Sequence, residues 1–205
     1  MIAIIDYGVG NLFSLRCSLE RIGADVTVTS DPDCLRKADK LLLPGVGAFE
    51  DAARKLRSNG LDQVVKDEAI KGKPLLGICL GMQMLFEKSY EYGKHEGLGL
   101  LKGQVIGMEG TIPEGLQIPH IGWNALHFRQ NDCPLFANIR ENDCVYFVHS
   151  YYAVGCDDSL AATAEYGNEI TAAVAKDNIF GCQFHPEKSG AVGLGILKAF
   201  CDLEV

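Results

Sequence analysis

Leu75-Leu76-Gly77-Ile78-Cys79-Leu80-Gly81-Met82-Gln83 decides how this chain is read. Pro74 to Ile78 has the length and composition of a buried strand, and Leu80 to Phe86 reads as a helix, which leaves Cys79 at a sharp strand-to-helix turn. Gly77 and Gly81, two residues before and two after, let strand and helix pass closely. An elbow of this kind lifts its central side chain above the carboxyl end of a sheet on a strained backbone. The N–H of Leu80 then faces any developing oxyanion, and the helix N-terminus favours a thiolate. Spacing alone serves equally a buried cysteine wedged between packing glycines.

Around the elbow, strands and helices alternate. Ile2 to Ile5, Val26 to Thr29 and Leu41 to Leu43 read as strands; Leu12 to Ile22, Phe49 to Arg57 and Leu61 to Ile70 read as helices. That order predicts a mostly parallel central sheet flanked by helices on both faces. Residues 88–98 are polar and glycine-containing, a surface loop. Beyond them, Gln104 to Met108, Trp123 to Phe128, Val145 to Val148, Ala161 to Tyr166, Thr171 to Ala175 and Phe180 to Phe184 read as strands, partly antiparallel, before a closing helix at Ala191 to Leu203. The expected fold is therefore a single α/β domain over residues 1–205 with additional antiparallel strands in its second half.

Composition narrows the function. The 205 residues are 47% hydrophobic and 22% charged, enough to bury a sizeable core and too apolar for disorder. Nineteen Lys and Arg against 27 Asp and Glu give a net charge of −8, the wrong sign for binding nucleic acid. Ile2 to Ile5 is the only apolar run before Asp6, with no basic stretch ahead of it, and no segment reaches the ~18 apolar residues of a membrane span. A cytoplasmic protein with no membrane partner is expected. The eight cysteines contain no C-x-x-C pair, which disfavours a zinc ribbon and predicts reduced thiols, seven of them without a role.

Phe184-His185-Pro186-Glu187 supplies what a nucleophilic cysteine needs. Pro186 biases His185 towards an extended backbone, where alternate residues share a side, so Glu187 can orient the imidazole while its other nitrogen faces the thiol. By itself this stretch reads better as a solvated strand end; with the elbow it reads as a base and its orienter. Leu42-Leu43-Pro44-Gly45-Val46-Gly47-Ala48-Phe49 is a strand running into a glycine loop before a helix, able to present N–H groups to an oxyanion or to be an ordinary turn. Neither it nor Gly8-Val9-Gly10-Asn11-Leu12-Phe13 completes a dinucleotide fingerprint, and no G-x-x-x-x-G-K-[ST] is present. His149 follows a strand, where it lines a pocket or caps a sheet edge. His120 and His127 flank Trp123, His95 sits in the charged loop, and no pair has metal-ligand spacing.

The elbow and the His-Pro-Glu stretch together resemble the signature pair of the class I, triad-type glutamine amidotransferases, and the resemblance spans essentially the whole chain. Asp6 to Leu12, Pro44 to Phe49, Pro119 to Asn124 and Phe147 to Tyr152 are similar to one branch of that family, the glutaminase subunits of a synthase of histidine biosynthesis. The resemblance implies a Cys79–His185–Glu187 triad that hydrolyses L-glutamine through a γ-glutamyl thioester, with no cofactor and no metal. It implies an oxyanion hole at Leu80 and the Val46–Gly47 peptide, and substrate contacts from Gly47, Gln83, His149, Ser150 and Tyr151. It also implies a heterodimer with a (β/α)8-barrel cyclase subunit, contacted by Trp123 and Lys188. That partner receives the ammonia, makes imidazole glycerol phosphate and an aminoimidazole carboxamide ribotide, and switches on the Pro44 to Gly47 loop. The chain carries no phosphate-binding motif of its own, which fits an acceptor held by a partner. The rival readings are the same triad serving another acceptor, as in anthranilate or pyridoxal phosphate synthesis, and a silent α/β binding module.

Overall fold

The computed structural model describes residues 1–204. Its first half alternates strand and helix: β1 (Ile2–Ile5), α1 (Leu12–Arg21), β2 (Val26–Thr29), α2 (Pro32–Lys37), β3 (Lys40–Gly45), α3 (Phe49–Ser58), α4 (Leu61–Ile70), β4 (Leu75–Cys79) and α5 (Leu80–Met84). Strands dominate the second half: β5 (Phe86–Ser89), β6 (His95–Glu96), β7 (Leu101–Gly107), β8 (His120–Ala125), β9 (His127–Phe128), β10 (Cys144–His149), β11 (Tyr151–Val154), β12 (Leu160–Glu165), β13 (Glu169–Lys176) and β14 (Ile179–Cys182). The last helix is α6 (Gly190–Cys201).

Eight strands form the main sheet in the order β2-β1-β3-β4-β14-β13-β12-β9. The pairs from β2 through β14 are parallel, and the three beyond β14 are antiparallel. β1, β3 and β4 are buried along their whole length, as strands covered on both faces must be. Their residues alternate between two apolar layers. Ile2, Ile4, Leu42, Leu76 and Ile78 face the layer packed by Leu15 and Leu19 of α1 and Ile196 and Phe200 of α6. Ala3, Ile5, Leu41, Leu43 and Leu75 face the layer packed by α2 to α5. Buried Lys40 closes the chain onto this sheet, its Nζ donating to the carbonyls of Cys201 and of Leu203 at 2.6 Å, a cation at the C-terminus of α6.

Several elements differ from the sequence reading. Trp123 to Phe128 is not one strand: Trp123 to Ala125 end β8, while His127 and Phe128 form β9 in the main sheet. The helix after Cys79 ends at Met84 rather than Phe86, because the returning chain takes its last carbonyls: Leu98 N–H donates to Met84 and Leu100 and Leu101 N–H to Leu85. Residues 88–98 are not wholly loop, since Lys88 pairs with Glu96 and Ser89 with His95. α2 was not anticipated, although Asp31 caps it through Asp33 N–H and Pro32 opens it. β11 was also missed, and β7, β5 and β6 join it in a separate four-stranded sheet, while β8 and β10 form a third of their own.

Candidate active site

β4 occupies the middle of the main sheet and turns directly into α5 at Cys79, whose φ of 55° is a conformation that non-glycine residues avoid. The glycines make that turn possible. A Cβ on Gly81 would lie 1.7 Å from the Leu43 carbonyl oxygen, and one on Gly77 would lie 2.7 Å from Met82 N. Helix and strands therefore approach to backbone contact, and the cysteine is pushed to the carboxyl edge of the sheet, where ligands of open α/β sheets bind. The N–H of Leu80 is in the first turn of α5, where helix geometry leaves donors unpaired.

β14 runs parallel to β4, with Gly181 opposite Gly77 and Cys182 opposite Ile78, so the chain leaving β14 emerges beside Cys79. His185 Nδ1 and Glu187 Oε1 are 2.9 Å apart, and both side chains are buried. They do not meet through strand alternation as expected. Residues Pro186–Lys188 form a tight 3-10 turn, closed by Lys188 N–H to the His185 carbonyl at 3.0 Å and braced by Ser189 Oγ–H to the same oxygen at 2.6 Å. Burial on its own lowers the pKa of His185. Hydrogen bonds and charge from Cys79 and Glu187 outweigh it and raise the pKa to about 9.

A cleft of about 570 Å³ opens over Cys79, a volume suited to a small ligand. The expected residues Val46, Gly47, Leu80, Gln83, His149, Ser150, Tyr151, His185 and Lys188 all line it. Gly47 has a φ of +91° and Val46 is exposed, so the glycine loop forms one lip. Glu187 stands behind His185 rather than in the cleft. Trp123 is outside as well, 57% exposed, with its ring 6.3 Å from that of Tyr146, over which Lys188 Nζ sits at 5.8 Å.

Two contributors had no role assigned from the sequence. Glu91, in the polar 88–98 stretch, lines the cleft and accepts a 2.6 Å hydrogen bond from Phe49 N–H at the start of α3; burial raises its carboxyl pKa. His120 is buried, stacked between Tyr166 and Phe147, with Nδ1 3.1 Å from His149 Nε2. His149 Nδ1 lies 2.8 Å from the Tyr151 carbonyl, which only accepts, so Nδ1 carries the proton and Nε2 accepts from His120. Desolvation lowers the pKa of His149 to about 3 and that of His120 to about 4.

A sequence model of the family described as Glutamine amidotransferase class-I matches residues 3–201. The imidazole glycerol phosphate synthase subunit HisH of Caldanaerobacter subterraneus subsp. tengcongensis is 52% identical over 204 residues, covering 99% of this chain and 98% of that one. The HisH subunit of Bacillus subtilis is 49% identical, covering 98% and 95%. Among solved structures, PurLQS from Thermotoga maritima aligns with a TM-score of 0.74 at 23% identity over 97% of this chain and 96% of that one, a likeness of fold. A cysteine elbow beside a buried His–Glu pair, carried on a chain that matches over its whole length, places the protein in a family: it belongs to the class I glutamine amidotransferases, in the branch of the HisH subunits.

Proposed function

We propose that this chain is the glutaminase subunit of imidazole glycerol phosphate synthase, a single amidotransferase domain that hydrolyses L-glutamine and delivers the ammonia to a cyclase subunit in histidine biosynthesis. The observation that carries the reading is Cys79 on a strained elbow beside His185, itself 2.9 Å from the buried Glu187. Near neutral pH His185 holds a proton, and the sulfur it faces is the nucleophile. Cys79 Sγ attacks the carboxamide carbon; the oxygen takes up charge against the N–H groups of Leu80 and Gly47; His185 gives its proton to the departing nitrogen, releasing ammonia and leaving a γ-glutamyl thioester. His185 then takes a proton from water, whose oxygen attacks the thioester, and the C–S bond breaks to give glutamate. Glu187 keeps the imidazole oriented throughout.

Gln83 and the His149–Tyr151 segment hold the substrate along one wall. Glu91, a half-buried carboxylate in the same cleft, pairs with the α-ammonium group that distinguishes free glutamine from a protein side chain. No helix of the described residues is long and apolar enough to cross a membrane, in keeping with a biosynthetic enzyme acting on small polar molecules. The partner is a (β/α)8-barrel cyclase forming a heterodimer with this chain, across a surface that includes Trp123 and Lys188. Glutamate release by the chain alone, then with the cyclase subunit and its nucleotide ligand, tests both halves. Strong stimulation that vanishes in Cys79→Ser is expected. Free hydrolysis indifferent to the cyclase would overturn the acceptor assignment, and no hydrolysis under either condition would overturn the amidotransferase reading.

A further inference from the structure

Gln183 is wholly buried, two residues before His185, and none of the catalytic steps above uses it. Its backbone is pinned by its own N–H to the Ala172 carbonyl at 2.8 Å. Its side chain lies between two residues of the site: one end is 3.0 Å from Gln83 Nε2 and the other is 3.7 Å from Cys79 Sγ, within reach of an N–H···S hydrogen bond.

Which end is which follows from a carbonyl some distance away. The Tyr151 carbonyl oxygen can only accept, and Gln83 approaches it at 3.1 Å, so the NH2 end of Gln83 faces Tyr151. The same NH2 group holds a second hydrogen, and that one points at Gln183, which must present Oε1. The Gln183 NH2 is thereby turned towards the Cys79 sulfur. Both hydrogens of Gln83 Nε2 are now used, and its Oε1 remains as the free end of the amide on the cleft.

We propose that Gln183 is a further catalytic residue: its Nε2–H donates to Cys79 Sγ, supporting the charge on sulfur and aiming it into the cleft, while its Oε1 locks Gln83 with an acceptor facing the substrate. This rests on Cys79 being the nucleophile. A sulfur that faced His185 alone would be free to turn about χ1; a second donor, held by a buried backbone, fixes its direction. Because Gln83 contributes an acceptor at a set position, the wall is complementary to an N–H of the ligand, either the carboxamide NH2 or the ammonium group. A purely packing role for Gln183 predicts no effect on the sulfur.

Two substitutions separate these roles. Gln183→Glu keeps an oxygen for Gln83 and replaces the N–H at sulfur with oxygen. Gln183→Met, apolar and of similar length, removes both contacts. The readout is the pH profile of Cys79 alkylation by iodoacetamide, followed on the Cys79 peptide by mass spectrometry so that the other thiols do not contribute. In both variants the midpoint of the profile is expected to rise by about one pH unit, a tenfold loss of reactive sulfur below the midpoint. In the cyclase complex, KM for glutamine should stay within about threefold in Gln183→Glu and rise about tenfold in Gln183→Met, the cost of freeing a buried partner. An unmoved alkylation midpoint in folded Gln183→Met overturns the proposal. Should neither variant fold, the Gln183 side-chain amide resonances of the unaltered chain decide: they are expected to move with the Cys79 profile and to shift in Cys79→Ala, and resonances that do neither overturn it. Alkylation needs no glutamine, so a failed amidotransferase reading would leave this shift intact and appear only in the hydrolysis assay.

Discussion

His185 is held in its charged form and the buried His120–His149 pair in its neutral form, and the two contribute opposite arms to the pH dependence of the fold. The pKa of His185, about 9, lies above the value of about 6.5 it has in an unfolded chain. It therefore stabilises the fold fully below pH ~6.5 and loses that contribution as pH rises through 9, at most about 3 kcal/mol. His149 and His120, with pKa values of about 3 and about 4, act in the other direction. Above pH ~6.5 both are neutral whether folded or not; below it the unfolded chain takes up their protons first, and stability falls towards pH 4. The combined contribution of these three histidines is expected to be greatest near pH 6.5. Cys79 and Glu187 both raise the His185 pKa, so Glu187→Gln, which removes one of the two, should make the alkaline arm shallower while leaving the acid arm in place. Urea midpoints at pH 5, 7 and 9 measure both, and an alkaline slope unchanged in the variant would refute the assignment.

The β4–α5 elbow depends on two missing side chains. A Cβ at Gly81 would overlap the Leu43 carbonyl oxygen on the neighbouring strand, which is backbone and has nowhere to move. Gly81→Ala should therefore cost about 3 kcal/mol or more in urea unfolding, whereas Gly72→Ala, at a φ of +98° with nothing within 4 Å, should cost only about 1 kcal/mol of backbone strain. Equal costs would mean that close packing does not hold the elbow. This element was legible in the sequence only once the elbow was read together with Phe184-His185-Pro186-Glu187, because an apolar run, a cysteine and two glycines at these offsets serve a packed cysteine equally. His185 and Glu187 were legible as a pair, though a 3-10 turn joins them and not an extended strand. β11 was not, since Tyr151–Val154 directly follows β10 and reads as its continuation; the change of sheet between His149 and Tyr151 is tertiary. Glu91, His120 and Gln183 were hidden for a related reason. Each acts through a partner 29 to 104 residues away, a distance no local pattern encodes: Phe49 for Glu91, His149 for His120, Cys79 for Gln183.

Across the whole molecule, the two-stranded sheet of β8 and β10 has an inner and an outer face with different duties. Opposed residues share a face, so Ile121 lies beside Val148 and Trp123 beside Tyr146 on one side, while His120 lies beside His149 and Gly122 beside Phe147 on the other. The inner side holds the buried histidine pair against Phe147 and the cleft wall. The outer side leaves Ile121 53% and Trp123 57% exposed next to Lys188 at the cleft mouth, an apolar centre with a charged rim, the makeup of a protein interface. A partner seated there would cover the exit from the Cys79 cleft, where ammonia is set free. Trp123 carries the largest exposed apolar surface of the patch and packs edge-on to Tyr146 without supporting the core. Trp123→Ala should leave the melting temperature within a few degrees and raise the Kd for the cyclase subunit about tenfold or more, as loss of a central aromatic anchor does. Isothermal titration with the cyclase measures it. An unchanged Kd would move the interface off this face, and with it the route by which ammonia leaves the cleft.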